Sequence, residues 1–189
     1  MGTLVKAAIS HVQFETIHPF LDGNGRVGRL LISLILRHEN VLHQPLLYLS
    51  LYFKQHRDEY YRLLDAVRST GDWEAWIGFF LEGVERTATE AVNTAHRLLA
   101  LFSDDARLID AQGRASAGMH RTHEALRRRP LISIEVLARE THVAFPTAAR
   151  AIGALQNLNI VREITGRKRE RVFAYDQYVK ILSEGSEPL

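Results

Sequence analysis

Apolar residues recur at helical spacing over residues 4–17, and the pattern stops at His18 because Pro19 excludes helical geometry from the residue before it. After a turn at Gly23 and Gly25, residues 26–37 are apolar on nearly every side, with Leu30, Leu31, Ile32, Leu34, Ile35 and Leu36. That composition predicts a helix enclosed by neighbours, the centre of a bundle. Shorter helical patterns cover 49–55 and 58–69. Past the breaker Thr70-Gly71-Asp72, a long pattern runs from Trp73 to beyond Ala100, with Trp73, Ile77, Phe80, Leu81 and Val84 opening one stripe. The stripe reads as core.

Over 103–118 the period weakens, which marks a junction, and the grammar then changes. A helix ends near Arg129-Pro130, Ser133 can cap a short helix reaching Thr141, and Pro146 suits the first turn of a helix running to about Leu158. Asn159 suits a left-handed stop. "IVREI" and "RVFAY" then read as two short strands around the polar turn "TGRKRE". Helix, turn, helix and hairpin in this order describe a winged helix-turn-helix. The expected architecture is mainly α, a helical bundle followed by a small α+β domain: residues 1–112 as core, 113–120 as junction, 121–182 as the winged helix and 183–189 as tail.

Composition narrows the class. In 189 residues there is no cysteine, so disulfides and cysteine-based metal or nucleophile chemistry are excluded. No apolar run is long enough to span a bilayer and no secretory leader is recognisable, so the expected setting is cytoplasmic, with no membrane partner. The net charge of +2 is unevenly spread: residues 119–189 hold 12 Lys and Arg against 8 Asp and Glu, and residues 1–118 hold 12 against 14. The second part is the basic one.

The chemistry concentrates in "HPFLDGNGRVGR", residues 18–29. Gly23-Asn24-Gly25-Arg26-Val27-Gly28 fits the dinucleotide pattern G-x-G-x-x-G, but a Rossmann turn needs a strand before the glycines and an acidic residue at the end of a second strand. Only the following helix is present. The glycines nonetheless let backbone N–H groups converge at a helix start, where unpaired donors and the positive end of the dipole attract an anion. Arg26 and Arg29 lie three apart on that first turn, which favours a polyphosphate. Asp22 is the nearby carboxylate able to hold a divalent ion between phosphates. His18 is the neutral base of the loop, and Phe20 is expected to anchor it in the core.

The same residues match the Fic signature H-x-F-x-[DE]-G-N-G-R-x-x-R at His18, Phe20, Asp22, Gly23, Asn24, Gly25, Arg26 and Arg29. The chain resembles bacterial Fic proteins that carry a C-terminal winged helix, also in "HRDEYYRLLDAVRSTGDWEAWIGFFLEGV" and "TGRKRERVF". The resemblance implies AMP transfer from ATP, with Mg²⁺, to a Ser, Thr or Tyr hydroxyl of a target protein. His18 would deprotonate the hydroxyl and Asp22 would hold Mg²⁺. The Gly23, Asn24 and Gly25 turn would cradle phosphate oxygens through backbone donors and the Asn24 amide, Arg26 would brace the loop and the phosphates, and Arg29 would neutralise the outer ones. Family members usually carry further helices and a β-hairpin flap before the signature. Only seventeen residues precede His18, so the chain reads as the C-terminal part of a longer protein. Faces left uncovered by such helices are expected to self-associate, giving a homo-oligomer.

In the basic region, Arg167, Lys168, Arg169 and Arg171 suit phosphate contacts, while Thr147 and Arg150 at the start of the second helix could face base edges of double-stranded DNA. Winged helices also dock proteins, and a DNA-binding regulator whose first half only senses nucleotide is the alternative to the enzyme. No structural metal is expected.

Overall fold

The computed structural model describes residues 1–42, 48–167 and 169–184. They divide into two compact units, Met1–Asn93 and a second from Thr94 onward.

The first unit is helical. It comprises α1 (Thr3–Ile17), α2 (Asn24–His38), α3 (Leu49–Gln55), α4 (Arg57–Thr70) and the first part of α5 (Trp73–Asp110). Local chemistry sets the ends. Helix α4 stops at left-handed Gly71 (φ 72°), and the Asp72 carboxylate accepts from the Ala75 N–H at 3.2 Å to cap the start of α5. Ala7, Ala8, Val12, Ile32, Leu36, Phe53, Leu63, Leu64, Trp76 and Phe80 fill the core, where the Trp76 indole donates to the Ala8 carbonyl at 3.1 Å. Full burial of such side chains supplies most of the driving force at roughly 25 cal/mol per Å² of apolar surface.

Helix α2 differs from its expected enclosure. Asn24, Gly28, Ile32 and Leu36, spaced i, i+4, make its buried stripe, whereas Val27, Leu30 and Leu34 face outward, the two leucines more than half exposed. The close partner is α1, and Gly28 allows it: a Cβ there would lie 2.6 Å from Glu15 Oε1 and 3.1 Å from His11 Cε1. One helix pressed on one face leaves the opposite apolar face open.

The second unit contains the last part of α5, a short 3₁₀ turn (Gly113–Ala115), α6 (Ser116–Arg128), β1 (Leu131–Ser133), α7 (Ile134–Glu140), α8 (Phe145–Asn157), β2 (Val161–Glu163), β3 (Val172–Tyr175) and α9 (Asp176–Ser183). The antiparallel sheet has the order β1-β3-β2, with Ile132 opposite Phe173 and Val161 opposite Tyr175. Ser133 caps α7 through the Val136 N–H, Pro146 sits in the first turn of α8, and Asn159 takes φ 58°. The division between units falls inside α5 and not over 113–120, because Ile109, fully buried, belongs to the second core with Leu126, Ile132, Leu137, Leu155 and Phe173. A buried polar set completes that core: the Tyr175 hydroxyl donates to the Asp105 carboxylate, and His123 Nε2 lies 3.0 Å from the same hydroxyl.

Candidate active site

The segment between α1 and α2 holds its shape through three local devices. His18 ends α1 in the left-handed region (φ 49°, ψ 56°), its N–H donating to the Phe14 carbonyl at 3.0 Å. A non-glycine residue before proline pays for that conformation, and the residue is exposed. Gly23 (φ 84°) then reverses the chain into α2. Between them Asn24, 2% exposed, clamps the loop: its Oδ1 accepts from the Phe20 N–H at 3.0 Å and its Nδ2 donates to the Phe20 carbonyl at 2.6 Å.

This clamp changes one sequence expectation. The Asn24 amide is turned inward onto Phe20, since a buried amide must be satisfied, so what the turn offers an anion is main-chain N–H. Arg26 and Val27 donate to the Gly23 carbonyl at 3.0 and 3.1 Å, whereas the N–H groups of Asn24 and Gly25 have no acceptor among the described residues. Phe20 is also corrected: it is half exposed and leans on Phe14 (centroids 6.3 Å apart) at the surface. The clamp through its backbone does the anchoring that its ring was expected to do.

The structure brings the charged residues of the motif to this turn. A Cβ built on Gly23 would lie 3.3 Å from Arg26 Nη2, and one built on Gly25 would lie 3.1 Å from Arg29 Nη1, so each guanidinium lies close against one glycine of the turn. Arg26 pairs with the exposed Asp22 at 3.3 Å. Such an exposed pair holds weakly and yields readily to a stronger anion. Among the described residues no three potential metal-ligating side chains converge. A divalent ion here would therefore have Asp22 as its protein ligand and take its other oxygens from phosphate and water, the usual way Mg²⁺ is held at nucleotides.

A buried polar layer that the sequence reading did not single out lies against this turn. His11, on α1, has its Nε2 2.8 Å from the Tyr60 hydroxyl, and burial pushes its titration down from 6.5 to about 4. Glu15 is 8% exposed; burial raises its carboxyl above the ordinary value while the Arg29, His18 and Arg68 charges oppose the rise. Arg68 donates to the Glu15 carbonyl at 3.0 Å. The signal was the i, i+4 pair of polar residues on the buried stripe of α1.

In the second unit, Thr147, Arg150, Arg167, Arg169 and Arg171 are all exposed; Lys168 lies outside the described residues. Glu163 pins the β2–β3 turn by accepting from the N–H groups of Thr165 and Gly166 at 2.9 and 3.0 Å. Arg169 and Arg171 border a cavity of about 430 Å³ with Ser133, Glu135 and Phe145. Phe145, half exposed at the start of α8, is a surface aromatic.

The first unit thus presents a helix start with two free N–H groups, two guanidinium groups close to it and an exposed imidazole in the same loop. Residues 1–36 match the model of the Fic/DOC family. Over 81 residues, 43% of this chain, the protein is 38% identical to "Protein adenylyltransferase Fic" of Aedes aegypti and of Culex quinquefasciatus, and 35% identical to that of Drosophila grimshawi. The aligned part spans 15% of the length of these curated relatives. A Fic family protein from Desulfovibrio desulfuricans G20, known from its crystal structure, aligns with 92% of this chain and 49% of its own at 26% identity and a TM-score of 0.48.

Proposed function

We propose that the first unit is a protein adenylyltransferase site, moving AMP from ATP to a hydroxyl side chain of a target protein. The observation that carries this reading is the turn itself: guanidinium groups close to Gly23 and Gly25, free N–H donors on Asn24 and Gly25, and His18 four residues before Asp22 in the same loop. A triphosphate chain suits a site built from two cations and a helix start. His18 takes the proton of the attacking hydroxyl. The oxygen then bonds to the α-phosphorus, the bond to the bridging oxygen breaks, and pyrophosphate leaves. Asp22 is the residue to hold Mg²⁺, which when bound neutralises phosphate charge. Arg29 meets the outer phosphates, and Arg26 steadies both the loop and the nucleotide. The names of the relatives support the transferase reading, and the loop's matched residues fall within residues 1–36, which match the Fic/DOC family model.

Incubation with ATP labelled at the α-phosphate, Mg²⁺ and cell lysate tests it. Label on protein should fall by about 10²- to 10⁴-fold in His18→Ala, the range for loss of a general base. Undiminished labelling by that variant contradicts the assignment.

A second reading concerns the second unit. Helices α7 and α8 followed by the β2–β3 hairpin fit a winged helix-turn-helix, and the exposed Arg167, Arg169 and Arg171 in the hairpin turn favour duplex DNA as its partner. In that case Thr147 and Arg150 face base edges. Duplex binding should weaken steeply with salt, and removal of the three arginines should lower the salt slope by up to about three units. Absence of binding at low salt contradicts this reading.

A further inference from the structure

The least compensated charge in the first unit is Glu15. Its side chain is 8% exposed, yet Oε1 has no hydrogen-bond partner among the described residues. A buried carboxylate oxygen without a donor is costly, and native structures keep such groups for a reason. Two glycines of α2 create the slot it occupies: Oε1 lies 2.6 Å from where a Cβ of Gly28 would be and 3.8 Å from where a Cβ of Gly25 would be. The second of these points is also 3.1 Å from Arg29 Nη1. The carboxylate and the guanidinium therefore both approach the space of the same missing methyl group, without forming a contact ion pair among the described residues. Glu15 thus does not consume the donors of Arg29, while the two charges act on each other from nearby.

The other charges around Glu15 do not substitute for Arg29. From α1, His11 engages Tyr60 of α4 through Nε2 and stays neutral, its buried Nδ1 having no hydrogen-bond partner among the described residues, and His18 stands at the helix end. From α4, Arg68 is committed to the Glu15 carbonyl and to Thr16 Oγ1. Of the opposing charges acting on the carboxylate, Arg29 has the largest effect.

Resting on the polyphosphate reading of the loop, we propose that Glu15 is the positioning residue of the site: a buried counter-charge that holds Arg29 beside Gly25 and takes up a proton from solvent when a polyphosphate neutralises that guanidinium. The sign follows from electrostatics. Arg29 favours the ionised carboxylate; an anion on Arg29 cancels that support, leaving desolvation unopposed, so the proton is gained on binding. Uptake is confined to a window above the ordinary carboxylate range. Below it Glu15 is protonated with or without ligand, and above it Glu15 is ionised in both. Inside it, polyphosphate affinity falls as pH rises. A merely structural Glu15 would show none of this.

Nuclear magnetic resonance on the whole chain tests the proposal in two stages, using His18→Ala as background so that the loop imidazole takes no part. Without ligand, Arg29→Ala should raise the titration midpoint of the Glu15 carboxyl carbon. Glu15→Gln should move the Arg29 Nε–H chemical shift toward that of a free arginine, and Glu15→Asp should keep it near its original position. Equal midpoints, or an Arg29 signal indifferent to Glu15→Gln, overturn the proposal whatever the protein binds. Next, magnesium tripolyphosphate is added at about one pH unit above the ligand-free midpoint. The Glu15 carbon should then move to its protonated position, and should not move in the protein lacking Arg29. Loop signals that shift while the Glu15 carbon remains ionised overturn the proposal and leave the polyphosphate reading intact. Loop signals that ignore both tripolyphosphate and MgATP overturn the polyphosphate reading itself, and with it the discharge step.

Discussion

Asn24 and Phe20 exchange the roles that their chemistry suggests. The polar residue is buried and the aromatic ring half exposed, because Asn24 can satisfy both main-chain groups of Phe20 at once. Asn24→Ala removes both bonds and leaves Phe20's peptide groups unpaired, which should cost about 2–3 kcal/mol in the first unit and abolish nucleotide binding. Asn24→Asp keeps the acceptor toward the Phe20 N–H but loses the donor, so thermal unfolding should place it between the two. The motif was legible in the sequence because turn geometry, helix start and charge lie within twelve consecutive residues. The direction of the Asn24 side chain was not, since a short amide at a helix start can turn onto its own loop or outward, and the residue type does not choose between them. Glu15 escaped because its environment is made by glycines thirteen and ten residues further on, where α1 and α2 approach.

Helices α1 and α2 pack through Gly28, and this contact has no slack. Gly28→Ala places a methyl group 2.6 Å from Glu15 Oε1 and 3.1 Å from His11 Cε1, both on buried side chains. Overpacking of this kind should lower stability by about 1–3 kcal/mol, visible as an earlier tryptophan fluorescence transition. The opposite face of α2 is where the apolar pattern misled. A run that is apolar on all sides predicts enclosure, yet Leu30 and Leu34 are more than half exposed. Leu30→Lys with Leu34→Lys should reduce binding of an apolar dye and the apparent mass in light scattering without lowering the unfolding temperature. A lower unfolding temperature would show that these residues are core after all. Helix boundaries were largely readable from Pro19, Gly71, Ser133 and Asn159, each with a local reason to stop or start a helix. Strand β1 and helix α9 were not: three residues carry no periodicity, and α9 begins directly at the end of β3.

At the scale of the molecule, each unit buries a neutral histidine on a tyrosine hydroxyl, His11 with Tyr60 and His123 with Tyr175. For His11 the unfolded chain accepts a proton near 6.5 and the folded one only at about 4. The unfolded state therefore binds more protons between these values, so stability is full above the upper one and is lost as pH falls. This single group contributes up to about 1.4 kcal/mol per pH unit. Tryptophan fluorescence reports on this, since Trp73 and Trp76 both belong to the first unit. The dependence should flatten over that window in His11→Gln. The break within α5 was invisible in the sequence because one continuous helical stripe serves two cores, and periodicity does not say which core each turn enters.

The proposed activity requires the helix start at Gly23-Asn24-Gly25 to hold a triphosphate together with Arg26 and Arg29. Isothermal calorimetry of MgATP into the folded chain tests this directly. It should show one saturable site, weakened about 10- to 150-fold by Arg29→Ala, as expected for loss of a charged hydrogen bond. A folded chain that gives no heat, or an Arg29→Ala protein that binds as tightly as the original, contradicts it.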